Sequence, residues 1–233
     1  MVKIPRTREE LAARIDHTIL KPDATKDDII RVVNEAKKYK FRSVCVPQYW
    51  VPLAKELLRG TNIMVITVVG FPFGYDSTPS KVSQAETAKK LGADEIDMVM
   101  NISAFKSGTY EDVSNDIKSV VAAAKPLPVK VIIETSYLTR EEIEKAAKIA
   151  VESGAAFVKT NTGFGKRGAE IEDVKIIRRA IGDKAKVKAS GGIRDAKKAL
   201  EFIIAGADVI GASAGVNIVE TFDEKILKEL GVL

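Results

Sequence analysis

Lys90-Leu91-Gly92-Ala93-Asp94-Glu95-Ile96-Asp97-Met98-Val99 reads as a helix that ends on glycine and runs straight into a buried strand. Glycine supplies the left-handed residue that closes a helix, and the apolar residues after it suit a strand covered on both faces. The phrase returns as Glu152-Ser153-Gly154-Ala155-Ala156-Phe157-Val158-Lys159 and as Ile204-Ala205-Gly206-Ala207-Asp208-Val209-Ile210-Gly211. An αβ unit used at least three times decides the architecture.

Outward from these units, Ser43-Val44-Cys45-Val46, residues 63–69, residues 129–134 and Val187-Lys188-Ala189 supply further strands. Most are apolar without clean alternation, as expected of a parallel sheet under helices. Helix starts lie between them. Thr25-Lys26-Asp27-Asp28 offers a capping threonine and an acidic first turn, and Thr78-Pro79 sets proline at the first helical position. Thr139-Arg140-Glu141-Glu142 matches a capping box. Counting from Ile15-Asp16-His17 to Val209-Ile210-Gly211 gives about eight strands at nearly even spacing, with no proline-rich linker. Regular βα units of that number predict a closed (β/α)8 TIM barrel over an open doubly wound sheet. Residues 1–13 are expected to form a short N-terminal helix and residues 1–233 a single domain.

A length of 233 residues suits one such barrel, which takes about 250. No apolar run approaches the roughly 20 residues that span a bilayer, and no apolar segment follows the basic start. A cytoplasmic protein with no membrane partner is therefore expected. The lone Cys45 excludes an internal disulfide. The net charge of +5 raises the question of nucleic acid, but Lys and Arg are scattered among Asp and Glu and aromatics are few. Without a basic stripe, no nucleic-acid partner is expected.

Working residues of a barrel stand at the C-terminal ends of its strands and in the loops that follow. Those positions hold Asp16, Cys45, Asp97, Glu134, Lys159 and Lys188. Lys159 sits in a strand without an acidic neighbour in sequence; burial disfavours its charged form, and the neutral amine attacks carbonyls. Lys188 on the next strand would place a second cation near it and depress its pKa further. A single strand lysine could equally snorkel to the mouth or pair with Glu134 or Asp97. Two on adjacent strands favour chemistry. Asp97 could hold a lysine charged or move protons, or form a structural ion pair. Asp16 could bind a substrate hydroxyl or cap a loop. Cys45 reads as a small buried residue, and His17, the only histidine, as a packed one, so no multi-histidine metal site is expected.

Gly163-Phe164-Gly165-Lys166-Arg167-Gly168 matches G-x-G-x-x-G but follows the sixth strand rather than the first, so no dinucleotide cofactor is implied. A loop whose backbone amides meet a phosphate fits better. Ser190-Gly191-Gly192-Ile193 and Gly211-Ala212-Ser213-Ala214-Gly215 fit the same role after strands seven and eight. Any one of these loops could merely make a tight turn; three together favour phosphate.

In these segments, and in Thr67-Val68-Val69-Gly70-Phe71-Pro72, the chain resembles the deoxyribose-phosphate aldolase family over nearly its whole length. The resemblance implies reversible cleavage of 2-deoxy-D-ribose 5-phosphate to acetaldehyde and D-glyceraldehyde 3-phosphate, with no metal and no cofactor. It implies Lys159 as the imine-forming lysine, Lys188 as its pKa-lowering neighbour and Asp97 as the proton-relay acid. Asp16 and Thr18 resemble groups near the substrate hydroxyls, and Cys45 a pocket residue. Thr162, Gly163, Gly191, Gly192, Gly211 and Ser213 match phosphate-contacting positions. A homo-oligomer, dimer or tetramer, is also implied. Phe164 stands where some members have lysine, and Ala214 where they have a second serine, which removes possible phosphate partners. Lys166, Arg167 or Arg194 could compensate. Another imine-forming aldolase, or a non-catalytic sugar-phosphate-binding barrel, are the competing readings.

Overall fold

Alternation along the strands builds the molecule from the inside out. In Glu95-Ile96-Asp97-Met98, the two acids and the two apolar residues fall on opposite faces, because successive strand side chains point to opposite sides. Ile96 and Met98 join Ile15, Val131, Val158, Val187 and Ile210 in the apolar layer beneath the helices. The residues between them, including Asp16, Lys130, Lys159 and Lys188, turn into the barrel and are buried there. What reads in sequence as an apolar run broken by stray charges is thus two faces, one oily and one ionic.

The computed structural model describes residues 2–233. Its first half runs α1 (Arg8–Ala12), β1 (Ile15–Thr18), α2 (Lys26–Tyr39), β2 (Ser43–Cys45), α3 (Val51–Leu57), β3 (Met64–Val69), α4 (Thr78–Lys90) and β4 (Glu95–Val99). There follow α5 (Ile102–Lys106), α6 (Tyr110–Ala124), β5 (Val129–Ile132), α7 (Arg140–Glu152), β6 (Phe157–Lys159) and α8 (Ile171–Ile181). The chain continues with β7 (Lys186–Ser190), α9 (Ala196–Ile204), β8 (Val209–Ala212), α10 (Gly215–Glu220) and α11 (Glu224–Glu229). The eight strands pair in sequence order and β8 closes on β1, with Asp16 beside Gly211 in register. Every pairing is parallel. The (β/α)8 TIM barrel expected from the repeats is the fold.

Local signals act as their chemistry predicts. Gly92, Gly154 and Gly206 all hold positive φ (92°, 96° and 118°) at the helix-to-strand junctions. Thr25 and Thr139 each form a full capping box, with Asp28 and Glu142 respectively. Strands β2 and β3 differ from expectation by one residue at one end and β7 by one residue at each end, and three other boundaries differ as follows. The N-terminal helix is only Arg8–Ala12, capped by the Thr7 side chain, and residues 2–6 are not helical; Met1 lies outside the described residues. Helix α4 begins at Thr78, which leaves Pro79 one position further in. The fifth strand stops at Ile132 rather than 134, because Glu134 adopts a left-handed backbone (φ 51°, ψ 70°) that cannot continue a ladder.

Candidate active site

The inward charges meet on one carboxylate. Lys159 Nζ and Lys188 Nζ each donate to Asp97 Oδ2 at 2.8 Å, while Lys130 Nζ donates to Asp97 Oδ1 at 3.0 Å. Lys188 also lies 2.7 Å from Asp16 Oδ2. Asp16 Oδ1 accepts from Arg42 and from the Ser43 hydroxyl, at 2.7 and 2.6 Å. Arg42 then grips Glu95 through both of its terminal nitrogens, and Glu95 pairs back to Lys130. Strand register makes this possible, since Asp97 sits level with Lys130, and Lys159 with Lys188. Gly211 has its own part: a Cβ there would come within 2.8 Å of the Lys188 side chain, so glycine leaves that lysine its path across the barrel.

These contacts divide the lysines by function. Burial and the Lys188 charge depress the Lys159 pKa, and Asp97 offsets them only in part, so it lies below the ordinary lysine value. Lys188 moves the other way. Burial opposes its charge, but Asp16 and Asp97 together hold it protonated well above the usual range. Asp97 is buried, which would raise its pKa, yet Lys130, Lys159 and Lys188 keep it well below the carboxylate range. Burial, reinforced by the Asp97 charge, pushes the Cys45 thiol up to about 11, so it stays a neutral packed group.

Above the cluster, a cavity of about 460 Å³ opens at the C-terminal ends of the strands, the size of a small-molecule site. Lys159 is the member of the charge cluster that lines it. Thr18, Thr162, Gly163, Gly191, Gly192, Gly211 and Ser213 line it as well. Asp16, Cys45, Asp97 and Lys188 do not reach the cavity wall; all four are fully buried beneath it. Asp16 is held by Arg42, Ser43 and Lys188, so it is an ion-pair residue and not a loop cap. His17 points the opposite way, its Nε2–H donating to the Glu35 carboxylate at 2.6 Å and its ring packing on Phe41.

The cations near the cavity differ in part from those expected. Arg194 lines it, together with Lys21 and Arg31. Lys166 and Arg167 do not: Arg167 is held by both oxygens of Asp173, at 2.7 and 3.0 Å, and Lys166 lies over the Tyr137 ring. Three site groups, Lys130, Glu95 and Arg42, are absent from the residues expected by sequence. Lys130, between Val129 and Val131, satisfies the criterion that singled out Lys159, a lysine inside a buried strand without an adjacent acid in sequence. Arg42 precedes β2 and carries no such signal.

A closed parallel barrel with a neutral-prone lysine at its mouth, backed by a buried carboxylate and a second, charged lysine, is the arrangement of a barrel aldolase. The comparisons with known proteins agree, for the model of the DeoC/LacD family of aldolases matches residues 11–221 and the chain belongs to that family. It is 52% identical over 217 residues to the deoxyribose-phosphate aldolase of Thermoanaerobacter sp. (strain X514), covering 92% of this chain and 97% of the other. It is 54% identical over 216 residues to that of Aciduliprofundum boonei, again covering 92% and 97%. The tetrameric deoxyribose phosphate aldolase of Aeropyrum pernix superposes with a TM-score of 0.87 at 32% identity, over 93% of this chain and 92% of its own. No helix among the described residues is long and apolar enough to cross a membrane.

Proposed function

We propose that the chain, working as one catalytic domain over residues 1–233, reversibly cleaves 2-deoxy-D-ribose 5-phosphate to acetaldehyde and D-glyceraldehyde 3-phosphate through an imine on Lys159. The observation that carries this is the position of Lys159: the member of the buried charge cluster that faces the cavity, with its pKa depressed. The relatives' shared name supplies the substrate. Neutral Lys159 attacks C1 of the open-chain sugar, and the carbinolamine loses water to give a protonated imine. The C3 hydroxyl gives up its proton, the C2–C3 bond breaks, and its electron pair passes into the imine to leave an enamine. Glyceraldehyde 3-phosphate departs with the new C3 carbonyl. Protonation of the enamine at C2 and addition of water then release acetaldehyde and restore the amine. Asp97 and Lys188, with a water in the cavity, carry the protons. Thr18 serves the hydroxyl side of the sugar, and Asp16 acts from beneath the cavity by holding Lys188 charged. Thr162, Gly163, Gly191, Gly192, Gly211 and Ser213 serve its phosphate, with Arg194 adding charge. The role that follows is deoxyribonucleoside catabolism in the cytoplasm, by a homo-oligomer.

Borohydride reduction with acetaldehyde, followed by peptide mapping, tests the reading. A two-carbon adduct on Lys159 that is absent from Lys159→Ala is expected. A folded protein that neither forms this adduct nor is trapped by deoxyribose 5-phosphate would leave a binding barrel as the better account.

A further inference from the structure

Glu134 is a buried carboxylate that forms no salt bridge among the described residues. Its charge is met instead by four hydrogen-bond donors, and three of these come from the segment leading into the loop after β6. Oε1 accepts from Asn161 Nδ2 and from Ser136 Oγ, each at 2.8 Å. Oε2 accepts from the Thr162 amide at 2.9 Å and from the Thr162 hydroxyl. Two of the donors pass the constraint on: Thr162 Oγ1 accepts from the Phe164 amide at 3.0 Å, and Ser136 Oγ from the Lys166 amide at 3.3 Å. Residues 161–166 are therefore gathered on one side chain. Gly165 closes over it so tightly that a Cβ would lie 2.5 Å from Glu134 Oε1 and 2.3 Å from Ser136 Oγ. This loop forms one wall of the cavity through Thr162, Gly163 and Phe164. The carboxylate itself makes no bond to Lys159, Lys188 or Asp97.

We infer that Glu134 is a positioning residue for the phosphate end of the substrate: its carboxylate sets the loop after β6 so that the Thr162–Phe164 backbone faces the phosphate. The inference rests on the sugar-phosphate reading of the cavity. Its left-handed backbone fits this role, since a non-glycine residue is kept in that conformation only where surrounding structure demands it. Replacing one oxygen by an amide turns an acceptor of two hydrogen bonds into a donor facing two donors. The loop then loses its anchor, while the lysine cluster across the cavity keeps every contact.

The test compares wild type, Glu134→Gln and Gly165→Ala, with the folding of each checked by circular dichroism. Each is assayed on 2-deoxyribose 5-phosphate, on unphosphorylated 2-deoxyribose and in acetaldehyde trapping. Gly165→Ala strikes the same contact from the loop side and leaves the carboxylate's own chemistry unchanged, so one failed fold leaves the other to decide. Both variants are expected to raise KM for the phosphorylated sugar about tenfold, as for loss of a charge-assisted hydrogen bond. Turnover of the unphosphorylated sugar and trapping on Lys159 should change less than about threefold. Equal losses on both sugars, or loss of trapping, would overturn the inference, as would a wild-type preference for phosphate that survives in both variants. A wild type with no such preference would remove the sugar-phosphate reading itself, and this inference with it.

Discussion

Replacing Lys188 by methionine removes a charge while keeping much of the side chain's bulk, and the structure predicts its consequence in pH rather than in rate alone. Both Lys159 and Lys188 lie 2.8 Å from the same oxygen of Asp97. Their nitrogens are then roughly 5 Å apart, and at an effective dielectric of about 20 their repulsion is worth about 3 kcal/mol. Asp97, released from Lys188, adds to the effect by pairing more closely with Lys159. Asp97 keeps Lys130 as a partner and Asp16 keeps Arg42, so neither acid is left bare. The sign follows directly. Wild-type Lys159 sheds its proton at a pH below that of an ordinary lysine, and in Lys188→Met it must hold that proton to higher pH.

The measurement is the pH profile of kcat/KM, which reports groups of the free enzyme. The acidic limb should move upward, costing about a hundredfold near neutrality and regaining most of that at high pH. A plateau lowered without movement of the limb would refute the electrostatic account and leave Lys188 with proton transfer alone. A limb that moved to lower pH would refute it outright.

Two further outcomes follow. Phe164→Lys places a cation on the cavity wall where the structure has an aromatic ring packed edge-on against Phe71, and it should lower KM for the phosphorylated sugar about three- to tenfold while leaving the unphosphorylated sugar unchanged. Arg42→Met deprives Asp16 and Glu95 of a shared, largely buried partner, which costs about 3–5 kcal/mol and lowers Tm by roughly 10 °C or more in calorimetry; the exposed Arg31→Met should move it by no more than a few degrees.

How much of this was open to reading in the sequence depends on whether a signal is local. A lysine in a buried strand is conspicuous, so Lys159 and Lys188 stand out, and the helix–Gly-Ala–strand phrase carries the barrel. Lys130 shows the same signal one layer lower, but its partner is set by register with Asp97, which no stretch of sequence displays. Arg42 is opaque for another reason: its position before β2 says nothing of a side chain that reaches both Asp16 and Glu95. Arg167 looks free to meet a phosphate until Asp173, six residues on, is seen to hold it. Glu134 is misread as a strand end because glutamate seldom takes a left-handed backbone. For Lys130 and Arg42 the missing term is a partner brought near by closure of the barrel, whereas for Arg167 and Glu134 it is the local path of the backbone.

Closure also explains why the lysine that faces the cavity is the one whose pKa is depressed. Three carboxylates, Asp16, Glu95 and Asp97, share one contiguous network with four basic side chains, Arg42, Lys130, Lys159 and Lys188. If all four bases were charged, the buried cluster would carry one uncompensated positive charge, a costly state in a low-dielectric interior. The least costly way out is loss of one proton. Arg42 cannot supply it at any ordinary pH. Lys188 bridges two carboxylates and Lys130 also touches two, whereas Lys159 pairs with Asp97 alone. The base with the fewest carboxylate contacts is therefore the one that gives way, and it is the one that faces the cavity. On this account the reactivity of Lys159 belongs to the charge count of the whole network. Lys188→Met balances that count at three against three, which is why its proton should return.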